Sequence, residues 1–215
     1  MAEASLGKNQ KHNICAYLDQ KMRYANTFGD IIGFLKRSRI AYAVSTDYQA
    51  YESNQQDFWT HAEIDSSQLP TLIRSSVKGN PVIVSAECIR RLWKFNDKSS
   101  DPTNLDASLI KGCFMRMKYD GKFREVPMVK SNLCVPYKYL MHVLVHCLGS
   151  RKGGYDEIPE ILQSAMVALV LNRPYNFSQM LLSHLIENIT RKGNEKFLMY
   201  PRFLQKIIDE QVPQL

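Results

Sequence analysis

Long hydrophobic runs are missing from this sequence. The apolar run at residues 165–171 is the centre of the most hydrophobic segment, and it is far shorter than the roughly 20 residues that a membrane-spanning helix requires. Residues 1–10 are polar and do not resemble the apolar segment of a secretory signal. We therefore expect a soluble intracellular protein, in the cytoplasm or alternatively in the nucleus, with no membrane partner.

A complete set of metal ligands is also missing. The cysteines are scattered and contain no CxxC pair, which argues against a disulfide framework and a zinc site; they are Cys15, Cys88, Cys113, Cys134 and Cys147. His142 and His146 have a spacing that could hold a metal on one helix face, but Val-Leu-Val replaces the glutamate-bearing HExxH pattern and no third ligand is near. We expect structural histidines, no metal and no cofactor.

The motifs of the common enzyme classes are absent as well. The glycine-rich segment 149–154 follows a predicted helix and lacks the GxxxxGK[ST] phosphate loop. There is no GxSxG nucleophile elbow, no D[ST]G motif and no YxDD motif. The sequence therefore predicts a protein without catalytic activity.

Helical periodicity dominates the patterns that are present. Apolar spacing and capping residues predict helices over residues 13–24, 30–36, 47–58, 86–95, 105–117, 136–148, 158–171, 177–191 and 201–211. The β-forming run that begins at Trp59 predicts one hairpin, in which residues 73–77 pair with 82–84 around a turn at 78–81. The expected fold is mainly α with a small β-hairpin.

The polar segment 96–103, with Pro102, is the best internal boundary. It divides the chain into a flexible N-terminus (1–11), an N-terminal helical lobe with the hairpin (12–100) and a C-terminal helical bundle (101–215). The predicted loops between the C-terminal helices are short, which favours antiparallel packing of neighbouring helices.

Two helices of the C-terminal bundle are candidates for its core. Helix 158–171 is apolar all round in its second half, so it should be buried, with Asp156 as its cap. The last helix, 201–211, has a stripe that forms a core or an assembly surface: Phe203, Leu204, Ile207 and Ile208. We expect this stripe to pack on helix 158–171, with Arg202 on the polar side; a neighbouring subunit is the alternative.

Positive charge is moderate, at +7, and it concentrates in the window 105–138, which holds seven Lys/Arg and three Asp/Glu. Within it, segment 118–132 is predicted to be a mobile basic connection. The candidate nucleic-acid contacts are Lys111, Arg116, Lys118, Lys122 and Arg124. Few aromatic residues accompany them, which favours a solvated basic face over a stacking platform. Any binding should be weak, independent of base sequence and sensitive to salt.

Several strings extend this interpretation: HNICAYLDQ (12–20), DFW (57–59), YKYLMHVLVHCLGS (137–150), NFSQMLLSHLIENI (176–189) and KFLMYPRFLQKIIDEQ (196–211). In order and spacing they resemble the Gag-like N-terminal region of plant LTR retrotransposon polyproteins, a group expanded in the daisy family. The resemblance covers residues 12–212.

This resemblance implies a capsid-type protein that self-assembles around element RNA, with the enzymes encoded elsewhere in the polyprotein. A homo-oligomer is therefore expected. The chain lacks the CxxCxxxxHxxxxC zinc knuckle of a complete Gag, which puts RNA packaging by this segment in question. The alternatives are a domesticated transposon-derived protein or an adaptor of the trafficking type, since some similar proteins carry a longin-like label.

Overall fold

The structure is a computed structural model that describes residues 12–18, 25–67, 70–123, 127–151, 153–191 and 197–214. The helices in this part of the chain are α1 (Ala25–Arg37), α2 (Ala41–Ser45), α3 (Glu52–His61), α4 (Ala86–Leu92), α5 (Ala107–Arg116), α6 (Val135–Val143), α7 (Glu160–Val170), α8 (Phe177–Thr190) and α9 (Pro201–Gln211). The strands are β1 (Glu63–Asp65), β2 (Leu72–Val77) and β3 (Asn80–Val84). The prediction of a mainly α fold with a small hairpin is confirmed.

The hairpin forms where the sequence predicts it. Strands β2 and β3 pair antiparallel, with Ile73 opposite Val84 and Val77 opposite Asn80. Lys78 and Gly79 form the turn with φ angles of 49° and 78°, and two positive φ values are the mark of a type I′ turn. Strand β1 adds to the other edge of β2, which gives the sheet order β1-β2-β3 in the described residues.

The predicted helix at 13–24 is wrong over residues 13–18, and residues 19–24 lie outside the described part. Residues 14–18 are not helical, because their backbone bonds go to distant segments. The Ile14 N–H donates to the His146 carbonyl at 3.2 Å, and the Ala16 N–H donates to the Val44 carbonyl at 2.7 Å. The N–H groups of every second residue, Ile14 and Ala16, therefore donate to neighbouring segments, as they would in a β-strand. Helix α1 begins at Ala25, before the predicted start at residue 30.

The start of α3 also differs from the prediction of a helix over 47–58. Tyr51 is extended and occupies the N-cap position, and its N–H donates to the Gln205 side-chain oxygen at 3.1 Å. Helix α3 consequently runs from Glu52 to His61 and includes Trp59, where the β-forming run was expected to begin.

The C-terminal helices follow the predictions closely. Pro136 lies in the first turn of α6, which continues into a π-helical turn, Leu144–Leu148, and ends at Gly149. A β-carbon on Gly149 would lie 2.4 Å from the Val145 carbonyl oxygen, so the stop requires glycine. Helices α8 and α9 start at the predicted residues, and α9 also ends as predicted.

Helix α7 is the buried central helix that its composition indicates, since all residues from Leu162 to Leu169 are buried. Its predicted cap is wrong. The Asp156 carboxylate instead accepts hydrogen bonds from the backbone N–H and the hydroxyl of Ser131, at 3.1 and 3.0 Å, while Pro159 occupies the N-cap position. Asp156 therefore fixes the segment before α6 rather than the end of α7.

The described residues of segment 118–132 are held in place by hydrogen bonds. The Tyr119 hydroxyl accepts from the Val129 N–H at 3.0 Å, and the Asp120 N–H donates to the Asn132 carbonyl at 2.9 Å. Val129 also forms an isolated bridge with Glu157. The prediction of a mobile connection is therefore wrong for the described residues of this segment. Residues 124–126 lie outside the described part.

Buried side chains from both predicted lobes belong to one hydrophobic cluster. At the predicted boundary, Asp97 is buried, and its carboxylate accepts hydrogen bonds from the N–H and the hydroxyl of Ser178 in the first turn of α8. Arg90 pairs with the same carboxylate at 2.5 Å. The division into lobes at residue 100 stays a prediction. None of the helices in the described residues is long and apolar enough to cross a membrane.

Candidate functional site

Four of the five sequence strings that carry the resemblance, all except 57–59, contribute to one buried cluster. We call it the terminal junction and define it by His12, Asn13, His184, Tyr200 and Arg202. The terminal junction joins the N-terminal segment to the start of α9. Two of the residues in contact, His12 and Tyr200, are 188 positions apart in the sequence. All five side chains are buried. The last carbonyls of the π-helical turn, which a helix end leaves without internal partners, complete the cluster.

Tyr200 is the centre of the terminal junction. Its φ is 53°, a left-handed conformation that is uncommon for a bulky residue. Its N–H donates to His12 Nε2 at 2.9 Å, and its hydroxyl donates to the Leu148 carbonyl at 2.6 Å. The hydroxyl has a single proton, so His184 Nδ1, 2.7 Å away, must donate to the tyrosine oxygen.

Both histidines of the terminal junction are held neutral. Burial lowers the pKa of His184 to about 4, with a smaller contribution from the positive charge of Arg191. Burial, followed by the charge of His184, lowers the pKa of His12 to about 3. Burial also raises the pKa of the Tyr200 hydroxyl well above its ordinary value. These groups hold segments together and are shielded from solvent, which is poor placement for acid–base chemistry on a substrate.

Asn13 caps a helix that lies almost at the other end of the sequence. Its side-chain oxygen accepts from the Arg202 N–H at 3.0 Å and from the Phe203 N–H at 3.4 Å, two donors that the first turn of α9 leaves unsatisfied. Its side-chain nitrogen donates to the Cys147 carbonyl at 3.0 Å. Asn13 adopts φ 52°, which asparagine tolerates better than most residues.

Arg202 is buried, which corrects its expected place on the polar side of the last helix. Its guanidinium donates to the carbonyls of Asn13 at 2.6 Å, Ile14 at 3.0 Å and Ala43 at 3.2 Å, and also to that of Thr46. Burial lowers its pKa, yet an arginine stays protonated under any ordinary condition. No periodicity in the sequence separates this arginine from a surface one.

The predicted core or assembly stripe of α9 is buried within the chain, at 0–2% exposure: Phe203, Leu204, Ile207 and Ile208. The main neighbours of α9 are α3, α4 and β3, rather than the predicted helix 158–171. The Phe203 and Trp93 ring centroids, for example, are 4.4 Å apart. The stripe therefore belongs to the core of one molecule.

The candidate nucleic-acid contacts lie on α5 and the turn after it. Lys111, Arg116, Lys118 and Lys122 are all exposed, and Arg124 lies outside the described residues. The aromatic rings nearby are used internally: Phe114 is buried and packs edge-on against Tyr119, whose hydroxyl is bonded to Val129. This face, which we call the α5 basic face, can attract phosphates. The aromatic rings described beside it, Phe114, Tyr119 and the partly buried Phe123, pack against one another and do not form an open row for stacking bases.

His142 and His146 lie close together, with ring centroids 4.2 Å apart, and His146 also stacks on Tyr155 at 4.5 Å. Burial, then the charges of His146 and Lys130, lower the pKa of His142 to about 4. Among the described residues, no group of three or more His, Cys, Asp or Glu could hold a metal ion.

Comparisons with protein-family models, curated proteins and solved structures found no match to this chain.

Proposed function

We propose that this chain is a Gag-like structural protein of a retroelement, a self-assembling scaffold without catalytic activity. One observation carries the proposal: four of the five strings of the resemblance converge on the terminal junction. Residues used in this way maintain a fold, as a structural protein requires. The scaffold would act in the cytoplasm, with the nucleus as a second compartment.

Self-association needs an accessible surface, and an apolar groove, part of whose lining belongs to the core, opens between α1 and α6. A groove of about 330 Å³ has apolar walls that include Ile31, Phe34, Tyr137 and Leu140. Val135, next to this groove in sequence, exposes 49% of its surface. Such a surface favours contact with protein.

The same groove favours the second candidate, an adaptor-type or domesticated interaction module. The longin form of this alternative has weaker support, because the described residues contain three short strands in one sheet and a longin module is built around a larger sheet. A scaffold and an adaptor differ in whether the protein assembles by itself.

Sedimentation velocity over a range of concentrations tests this proposal. A scaffold should form growing oligomers, and Val135→Asp should reduce them, because the charge enters the contact while the first turn of α6 tolerates an acid. Met115→Asp, at a 68% exposed position on α5, is the matched control and should assemble normally. A wild-type protein that remains monomeric at every concentration would refute self-assembly and favour the adaptor.

A further inference from the structure

A cleft of about 660 Å³ lies where the ends of α1, α4 and α7 meet α2. We call it the basic cleft and define it by Arg37, Arg39, Tyr42, Lys94 and Asn172. Its volume is within the range of roughly 300–1,000 Å³ that is usual for small-molecule sites. It is separate from both the terminal junction and the α5 basic face.

The charge of the basic cleft is positive. Three cations line it, and the described lining residues include no carboxylate. The ends of α1, α4 and α7 contribute negative partial charge, but about half a charge for each helix offsets only about half of the three cations. The Arg37 side chain makes no hydrogen bond or ion pair with the described residues, so its guanidinium is available to a ligand.

The cations are also oriented. Asn172 accepts a hydrogen bond from the Arg39 guanidinium at 2.9 Å, which fixes that side chain across the cleft. The Lys94 ammonium lies 4.5 Å from the centre of the Tyr42 ring, and the Lys206 ammonium donates to the Tyr42 hydroxyl at 2.5 Å. This hydrogen bond, together with the charges of Lys206 and Lys94, lowers the pKa of Tyr42 against the opposing effect of burial.

Lys94 holds its place at a cost in backbone energy. It adopts φ 53°, a left-handed conformation that costs a residue with a β-carbon about 1–2 kcal/mol and that glycine adopts freely. A lysine in this position projects its charge toward the cleft from the second residue after α4. Lys118, at φ 56°, occupies the equivalent position after α5 and belongs to the α5 basic face.

One wall of the basic cleft is apolar and the rest is polar. Phe34, Leu169 and Val170 form the apolar part, and the side-chain amides of Asn96 and Asn172 lie among the cations. Phosphate groups match the paired arginines and the lysine. The rest of the lining suits a flat heteroaromatic ring such as a nucleobase. The face of such a ring can pack on the apolar residues, and its edges can form hydrogen bonds with the asparagine side chains.

We propose that the basic cleft binds a nucleoside phosphate, with the phosphates on Arg37, Arg39 and Lys94 and the base against the apolar wall. The ligand is either a free nucleotide or one nucleotide unit of an RNA strand, since both present the same chemistry. This inference does not depend on the scaffold proposal, because it rests on the cleft alone.

Calorimetric titration of ATP at low ionic strength tests the site, with adenosine and inorganic triphosphate as partial ligands. ATP should bind the wild type, and each partial ligand should bind more weakly. Lys94→Gly should weaken ATP binding about tenfold, the effect of losing one charge-assisted hydrogen bond. Because glycine suits the left-handed backbone, this variant should melt within a few degrees of the wild type.

Lys118→Gly is the matched control, since it removes one positive charge and relieves the same backbone conformation at the other site. It should leave ATP affinity unchanged. Equal weakening by both variants, or an ATP affinity that Lys94→Gly does not alter, would overturn the proposal. Inorganic triphosphate that binds as tightly as ATP would overturn the assignment of a nucleoside.

A short oligoadenylate distinguishes the two sources of the ligand. If the oligoadenylate displaces ATP, and if Lys94→Gly weakens oligoadenylate binding, the cleft takes a nucleotide unit of RNA. If the oligoadenylate leaves ATP bound, and if only Lys118→Gly weakens oligoadenylate binding, the cleft takes free nucleotides and RNA uses the α5 basic face. Failure of ATP to bind the wild type at millimolar concentration would refute the site and would leave the sedimentation test of the scaffold unaffected.

Discussion

A buried arginine normally pairs with a carboxylate, but Arg202 is surrounded by peptide carbonyls. These acceptors come from the N-terminal segment, from α2 and from the residue after α2, so a single guanidinium connects several parts of the fold. Its planar fork of five N–H donors is what makes this possible, because a lysine has only three donors on one atom.

We predict that Arg202→Met lowers the free energy of unfolding by about 3 kcal/mol or more, since several buried carbonyls lose their donors at about 1–3 kcal/mol each. Arg202→Lys should recover only part of this loss. Urea denaturation measures both. The control is Arg91→Met, because Arg91 is 59% exposed and pairs with Glu210 on the surface, where the loss should stay within about 1 kcal/mol. Equal losses for Arg202→Met and Arg91→Met would show that the carbonyl contacts contribute little.

His184 makes stability depend on pH. Its pKa in the folded protein is about 4, below the ordinary value of 6.5, so the unfolded chain binds a proton first as pH falls. Stability due to this group is therefore complete above about pH 6.5 and is lost between about pH 6.5 and 4, at about 1.4 kcal/mol for each pH unit. His12, with a pKa of about 3, acts in the same direction.

His184→Asn should keep the hydrogen bond to Tyr200, because the asparagine side-chain nitrogen replaces Nδ1–H, and should remove the titration. We expect the free energy of unfolding, measured in urea at pH 7, 6 and 5, to fall less steeply in this variant than in the wild type. Carboxylates contribute equally to both proteins, so the comparison isolates the histidine. Parallel pH profiles would contradict the assignment.

At the scale of elements, three helices end in the same way. After α4, α5 and α7, an N–H group reaches back to a carbonyl five residues earlier, as in a Schellman motif: Phe95 to Arg90, Tyr119 to Phe114 and Arg173 to Ala168. The left-handed residue of this motif is usually glycine, whereas here it is Lys94, Lys118 or Asn172. Two of these positions present a charge at the end of a helix, where the negative end of the dipole favours a cation.

Helix α9 provides an element-scale prediction. Ile207 is 1% exposed, so Ile207→Asp buries an unpaired carboxylate and should cost several kcal/mol. Thermal melting should show the loss even at high dilution, because the stripe packs within one molecule. Ile83→Asp is the matched control at a 39% exposed position on β3, where the cost should be about 1 kcal/mol or less. A variant that melts like the wild type would remove α9 from the core.

Elements whose signals are local could be predicted from the sequence. The turn at Lys78 and Gly79 fixes the hairpin, Asn176 caps α8 by accepting from the Gln179 N–H, and Pro201 opens α9. The non-helical course of residues 13–18 and the late start of α3 could not be predicted, because their hydrogen-bond partners are distant in sequence. The basic cleft was missed for the same reason: its cations come from separate helix ends.

At the scale of the whole molecule, the net charge of +7 favours association with polyanions. If the five predicted side chains contact phosphates, log affinity for single-stranded RNA should fall with log salt with a slope of at most about 3.5. Lys111→Gln should lower the slope by about 0.7, and Lys78→Gln, in the hairpin turn, should not change it. Fluorescence anisotropy at several salt concentrations measures both. Binding that ignores salt, or that selects one base sequence, would contradict an electrostatic contact.

The terminal junction also determines when the fold can close. The ribosome makes His12 and Asn13 about 190 residues before their partners Tyr200 and Arg202. Closing a loop of this length costs about 5 kcal/mol of chain entropy, so the contact must wait until most of the core has formed around it. In a nascent chain that stalls before residue 200, Asn13 has no helix end to cap. The carbonyls of Asn13 and Ile14 also lack the Arg202 guanidinium that donates to them in the finished fold. The terminal junction therefore closes only after Arg202 has been synthesised, which makes it one of the last contacts of this fold to form.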